Sequence, residues 1–180
     1  DLPAQTLDGT TIRLEANIEF PTEVDACNAA GADGIGLFRT EFLYLIAATD
    51  PDEETQFAAY ASVAKSMPGK PVVIRTQDLG ADKIRGLSPS QGEKNPFLGL
   101  RSIRLSLRDV PAFRTQLRAI LRASTLGDVR VMFPLISTIG ELRQAKMVLA
   151  DAMEDLDEAG IAYNREMPVG MMVEVPATVM

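Results

Sequence analysis

The chain of 180 residues contains no histidine, no tryptophan and a single cysteine, Cys27. Without histidine there is no Ser-His-Asp triad, no Cys-His nucleophile pair and no imidazole ligand for a metal. One cysteine excludes an internal disulfide and a thiolate zinc site, and this usage fits a reducing, cytoplasmic setting. Basic charge is short as well. The chain carries 18 Lys and Arg against 25 Asp and Glu, for a net charge of −7. Nucleic acid requires a basic surface, so no nucleic-acid partner is expected. No apolar run approaches the roughly 20 residues that cross a bilayer, so no membrane partner is expected either.

What remains is ordinary globular material with one bias. Hydrophobic residues make up 46% of the chain, enough for one core, and the length suits one domain or part of a larger one. Of the cations, 13 are Arg and 5 are Lys. Arginine's planar fork grips carboxylates and phosphates with paired hydrogen bonds. Most such arginines line solvated helix faces, so position must single out the exceptions.

The pattern along the chain is β-α repeated. Asp8-Gly9 marks a tight turn, and a strand follows over Ile12 to Ile18. Pro21 opens a short helix that ends near Gly31. Gly34 to Phe38 reads as a strand, and Asp50-Pro51 as a helix start with Asp50 as cap. Phe57, Tyr60, Ala61, Ala64 and Met67 give that helix an apolar face. Pro71 to Ile74 is a third strand, and a long polar loop runs from Gln77 to Pro96. Asp109 and Pro111 open a helix with Phe113, Leu117, Ile120 and Leu121 inward. Val129 to Phe133 is a fourth strand, and Thr138 with Glu141 forms a capping box for a long helix that Gly160 ends. Val169 to Val173 is a fifth strand, with a helix start at Pro176. Alternating βα units predict either a doubly wound sheet or a (β/α)8 barrel. Cys27 falls on an apolar helix face and is expected in the core.

The charges fall in a particular place. Arg39, Arg75 and Glu174 each follow directly on an expected strand, at the end that carries the active site in parallel α/β folds. Two converging arginines make sense with a dianion between them. The long loop adds Asp78, Asp82, Lys83, Asn95 and Arg101. Glu174 has two readings, a Mg2+ ligand beside a phosphate site or an ion-pair partner of Arg39 or Arg75. No Walker-type loop is present. Gly31, Gly34 and Gly36 lead into a strand rather than out of one, which points to tight βα packing and away from a nucleotide site.

At these positions the sequence resembles phosphoenolpyruvate-utilising enzymes. Gly31-Ala32-Asp33-Gly34-Ile35-Gly36-Leu37-Phe38-Arg39-Thr40-Glu41-Phe42-Leu43 matches their signature, most closely in the Enzyme I branch of bacterial sugar phosphotransferase systems. Ile74 to Lys83, Asn95 to Arg104, Gln116 to Ser124, Met132 to Ile136 and Met172 to Ala177 follow in the same order. The resemblance implies a (β/α)8 TIM barrel of the phosphoenolpyruvate/pyruvate type, with residues 1–180 holding only its first five βα units. It implies phosphoenolpyruvate as ligand, bound by Arg39, Arg75, Arg101 and Lys83, and Mg2+ as cofactor on Glu174. It also implies phosphoryl transfer to a histidine on another domain and then to a phosphocarrier protein, in a homodimer. The acceptor histidine, an acid cysteine and a second metal carboxylate have no counterpart here, so the isolated chain is expected to be inactive. One departure lies in the loop, where Ala81 replaces the family's second glycine. The same resemblance admits the barrel of a pyruvate,phosphate dikinase or phosphoenolpyruvate synthase. A non-catalytic dimerisation or regulatory module with this fold is the remaining alternative.

Overall fold

The computed structural model describes residues 4–46, 50–80 and 99–180. Five strands alternate with helices: β1 (Glu15–Ile18), α1 (Val24–Ala29), β2 (Gly34–Arg39), α2 (Phe42–Ile46), α3 (Glu53–Ser66), β3 (Pro71–Arg75), α4 (Ser102–Arg108), α5 (Val110–Ala123), β4 (Asp128–Phe133), α6 (Ile139–Glu158), β5 (Val169–Met171) and α7 (Pro176–Val179). All strand pairs are parallel, and their spatial order is β1-β2-β3-β4-β5. That order differs from the order of a doubly wound sheet and is consistent with part of a barrel. A doubly wound sheet reverses direction at a switch point. Here each unit steps to the next strand in the same direction, as along a barrel wall.

Apolar side chains from the strands and the covering helices meet in one core. Ile18, Ile35, Phe38, Val72, Ile74, Val131 and Phe133 are buried from the sheet, and Tyr60, Val63, Leu117, Ile120, Leu121, Leu149 and Leu156 from α3, α5 and α6. Cys27 is half-buried and packs against this core.

Local signals set most helix ends. Asp109 caps α5 by accepting from the Ala112 N–H, and Thr138 and Glu141 form the reciprocal box at α6. Gly160 ends α6 with φ +65°, a left-handed conformation that glycine adopts without strain. The Asp8-Gly9 turn also forms, with Gly9 at φ +89° and Gln5 bridged to Thr11.

Several expectations are corrected. The cap of α3 is Asp52, whose carboxylate accepts from the Thr55 N–H, and not Asp50. Pro51 therefore precedes the helix, and its carbonyl accepts from the Gln56 amide. The buried face of α3 is rotated to include Gln56 and Val63, and Phe57 lies at its margin. β1 starts only at Glu15. β5 ends at Met171, so Glu174 lies beyond the strand by a short extended stretch. The helix α4, packed against α5 and α6, was not foreseen.

Within the glycine run, Gly31 turns the chain after α1 at φ +77°, and Gly34 and Gly36 serve strand packing. A Cβ on Gly34 would lie 2.7 Å from Pro71 of the neighbouring strand. Gly36 falls in a β-bulge. Asn17 pairs with Leu37 although Ala16 pairs with Ile35, so β2 carries one extra residue there.

Candidate functional site

β2 and β3 both end on an arginine. Their register sets Arg39 opposite Arg75 on adjacent parallel strands, at the C-terminal edge of the sheet. Arg75 is held on two sides. Its Nη2 donates to Glu41 Oε1 at 3.1 Å, and its Nη1 pairs with Asp78 Oδ2 at 3.1 Å. Asp78 also reaches Arg101, with Oδ1 3.1 Å from Nη2. One carboxylate thus links two of the expected anion-binding arginines. Asp78 is itself pinned, because its backbone N–H donates to Glu41 Oε1 at 2.9 Å. Arg75 is 8% exposed and makes a further contact to Met172 Sδ at 3.6 Å, just past β5.

Arg39 is more open. Its Nη2 pairs with Glu19 Oε2 at 3.0 Å, from the chain just after β1. Arg39, Arg75 and Arg101 therefore face Glu19, Glu41 and Asp78, three cations against three anions. Yet the hydrogen bonding is incomplete. Among the described residues, the Nε atoms of Arg39 and Arg75 are buried without a partner, and so are the hydroxyls of Thr76 and Ser102. Buried donors normally find acceptors. Their concentration at the strand ends marks a place where acceptors are due from a ligand. Ser102 also sits at φ +55°, a strained conformation for a residue with a Cβ, and such strain clusters at functional sites.

Glu174 takes neither of its expected pairings with an arginine. Its Oε1 accepts the Leu135 N–H at 2.7 Å, and among the described residues no ion pair joins it to Arg39 or Arg75. Leu135 has φ +53°, which turns the backbone beyond β4 so that this amide meets the carboxylate. Glu174 Oε2 is left as a hard oxygen donor at an exposed position. Among the described residues no group of three His, Cys, Asp or Glu side chains converges to hold a metal alone. Lys83, Asp82 and Asn95 lie outside the described residues.

Sequence reasoning missed the carboxylates Glu19 and Glu41 and the amide layer beneath the arginines. Gln116 of α5 is 1% exposed. It accepts from the Gln77 N–H at 3.0 Å and donates to Thr40 Oγ1 and Tyr60 Oη, both at 3.1 Å. Thr40 in turn donates to the Arg75 carbonyl at 3.0 Å. Burial pushes the Tyr60 hydroxyl pKa well up, against the opposing hydrogen bond from Gln116, so the phenol stays neutral. A signal was present. Gln116 lies three residues after Phe113 and four before Ile120, a polar residue on the apolar stripe of its helix.

Comparison with known proteins gives the family. A family model described as the PEP-binding domain of PEP-utilising enzymes matches residues 1–180. The chain is 50% identical over 173 residues to the phosphoenolpyruvate-protein phosphotransferase of Latilactobacillus sakei, covering 96% of the chain and 30% of that protein. It is 51% identical over 172 residues to the protein of that name from Geobacillus stearothermophilus, covering 96% and 30%. For the Bacillus subtilis (strain 168) protein of that name the identity is 47% over 176 residues, covering 98% and 31%. The chain spans about 30% of the length of these relatives.

Proposed function

Since the chain belongs to the family of PEP-utilising enzymes through their PEP-binding domain, we propose that it supplies the phosphoenolpyruvate site of a phosphoenolpyruvate–protein phosphotransferase. The observation that carries this reading is Arg75. It is a buried guanidinium at a strand end, braced by Glu41 and Asp78, whose Nε is still without an acceptor. In this reading the five strands are part of a (β/α)8 barrel, and the ligand lies over the C-terminal edge of the sheet.

Arg39, Arg75 and Arg101 bind the phosphate group, and Lys83 from the following loop adds a fourth cation. Catalysis is then chiefly placement and neutralisation of charge. The P–O bond to the enol oxygen breaks as a bond from phosphorus to an imidazole nitrogen forms. The arginines hold the three phosphoryl oxygens throughout. The chain has no histidine, so the acceptor imidazole comes from outside these residues. From there the phosphoryl group passes to a phosphocarrier protein. The complete enzyme works as a cytoplasmic homodimer in this reading. No helix among the described residues is long and apolar enough to cross a membrane.

Glu174 fits Mg2+ as a single hard carboxylate ligand, since that ion is held by one or two carboxylates together with phosphate oxygens and water. When bound, Mg2+ supplies positive charge that neutralises the phosphate and carboxylate of the substrate. The backbone amide of Leu135 fixes Glu174 through Oε1, which keeps Oε2 in one place.

The test is a calorimetric titration of the complete polypeptide with phosphoenolpyruvate and Mg2+, alongside transfer to a carrier protein. The expected result is saturable binding that Arg75→Ala weakens roughly a hundredfold, with a matching loss of transfer. Binding and transfer that survive Arg75→Ala at wild-type levels overturn the reading.

A further inference from the structure

We propose that Gln116 is a positioning residue for the phosphate-binding arginines, acting through the backbone that leaves Arg75 at the end of β3. This inference rests on the assignment of Arg39 and Arg75 to the phosphate.

The geometry is a clamp. Arg75 is followed by Thr76 and Gln77 as the chain leaves β3. Gln116 Oε1 accepts the N–H of Gln77 at 3.0 Å, so it holds the chain just after Arg75. Gln116 Nε2 donates to Thr40 Oγ1, and Thr40 Oγ1 donates to the carbonyl of Arg75 itself at 3.0 Å. Thr40 is the residue after Arg39. A single helix-borne amide thus ties together the two strand ends that carry the arginines, from 76 and 39 residues away in sequence.

Each partner needs the amide's two-sided chemistry. A glutamine both donates and accepts, and here its oxygen meets an N–H while its NH2 group meets two hydroxyl oxygens. A glutamate would bring no donor and would bury a charge, and an apolar residue would leave the Gln77 N–H and the Thr40 hydroxyl unsatisfied. Strand ends are otherwise the least constrained part of a sheet, because the ladder stops there. Backbone displacement of a fraction of an ångström moves a guanidinium off phosphate geometry, and rigid support of this kind is what precise sites need.

The same amide also donates to Tyr60 Oη, which donates to Gln56 Oε1, and that branch leads away from the arginines into α3. One branch therefore hydrogen-bonds the backbone at the strand ends, and the other hydrogen-bonds Gln56 of α3, with the Tyr60 ring packed edge-on against Phe38 of β2. A merely structural role predicts that damage to either branch has the same consequence. A positioning role predicts that only the Thr40–Gln77 branch matters to ligand.

The experiment uses the complete polypeptide and reads two quantities, the Kd for phosphoenolpyruvate by calorimetry and the melting temperature. Gln116→Met and Thr40→Val are expected to raise Kd at least tenfold and about fivefold respectively, and Thr40→Ser is expected to restore it. Tyr60→Phe is expected to lower the melting temperature as Gln116→Met does, with Kd within twofold of wild type. Equal effects of Tyr60→Phe and Thr40→Val on Kd overturn the proposal, as does an unchanged Kd in folded Gln116→Met. If Gln116→Met does not fold, Thr40→Val against Thr40→Ser decides. Arg75→Ala separates the layers. A large loss of affinity there with none in Thr40→Val refutes only the positioning role, and no loss in either refutes the phosphate assignment as well.

Discussion

The molecule contains two clusters of arginine and carboxylate, one between helices and one at the strand ends, and each contains three arginines. On the helical side, Arg114, Arg118 and Arg122 lie four residues apart along one face of α5. Glu53 of α3 joins Arg118 Nε and Arg122 Nη1, each at 2.6 Å, and Asp155 of α6 pairs with Arg114. Arg122 also lies over the Phe57 ring, 4.2 Å from its centroid. At the strand ends, Arg39, Arg75 and Arg101 meet Glu19, Glu41 and Asp78. Counting Glu54, which pairs with Arg122 Nη1, the helical cluster also sets three carboxylates against three arginines. The difference is saturation. Among the described residues, none of the buried polar atoms without a partner belongs to the helical cluster, whereas Arg39 Nε, Arg75 Nε and the Thr76 hydroxyl lie at the strand ends and the Ser102 hydroxyl at the start of α4. A clasp that only joins helices uses its donors up. A binding site keeps some in reserve.

The largest effect is expected from the arginine that distinguishes the two. Arg75→Ala should weaken phosphoenolpyruvate binding by about 3 kcal/mol, roughly a hundredfold, as loss of a buried charge partner does. Arg118→Ala should leave affinity within about twofold and lower the melting temperature instead. Calorimetry and thermal unfolding of the two variants check this, and a similar loss of affinity in both would erase the distinction. Next comes Glu174→Gln, which keeps the shape but removes the metal-binding charge. It should reduce Mg2+-dependent affinity about tenfold while leaving binding in the absence of Mg2+ unchanged, measured by titration with and without the ion.

Arg39→Lys is milder. It keeps the charge and loses the planar fork at a partly open position, for about 1 kcal/mol or roughly fivefold in Kd. The smallest effect on ligand and the clearest on stability belongs to the helical clasp. Burial works to raise the Glu53 carboxyl pKa, and the hydrogen bonds from Arg118 and Arg122 outweigh it, holding the group below its ordinary value of 4.5. A depressed folded-state pKa stabilises the fold above the unfolded value and loses that contribution as pH falls through the folded one. Melting temperature followed from pH 6 to pH 3 should therefore drop more steeply in the wild type than in Glu53→Gln, which starts about 1 kcal/mol less stable near neutrality.

The strand-end cluster was partly visible before any coordinates, and the reasons differ from residue to residue. Arg39 and Arg75 stood out because a buried parallel strand is apolar until it ends, so the first charge marks the edge. The caps at Thr138 and Asp109 were equally plain, since their chemistry is local. α4 was hidden because its start is a strained Ser102 after a polar loop, with no cap signal. The cap of α3 was misplaced by two residues because Asp50 and Asp52 are chemically equivalent, and only the packing of Gln56 against Pro51 separates them. Glu41 and Gln116 could be named as residues but not as partners. Their roles depend on contacts across 37 and 39 residues, which no local pattern encodes. Glu174 was placed at a strand end that the sheet does not reach, because β5 pairs with β4 only over Val169 to Met171.

The extra residue in β2 has its own consequence. Side chains alternate across a strand, so the face that a residue presents depends on whether an odd or even number of residues precedes it. The bulge at Gly36 resets that parity between the pairing at Ile35 and the pairing at Phe38. Were the same residues to pair without the bulge, Phe38 and Arg39 would exchange faces, taking the ring out of the core and the guanidinium into it. The proposed anion site is in this sense a matter of counting. A glycine with no side chain to offer decides, three residues upstream, which of its neighbours is allowed to have a function.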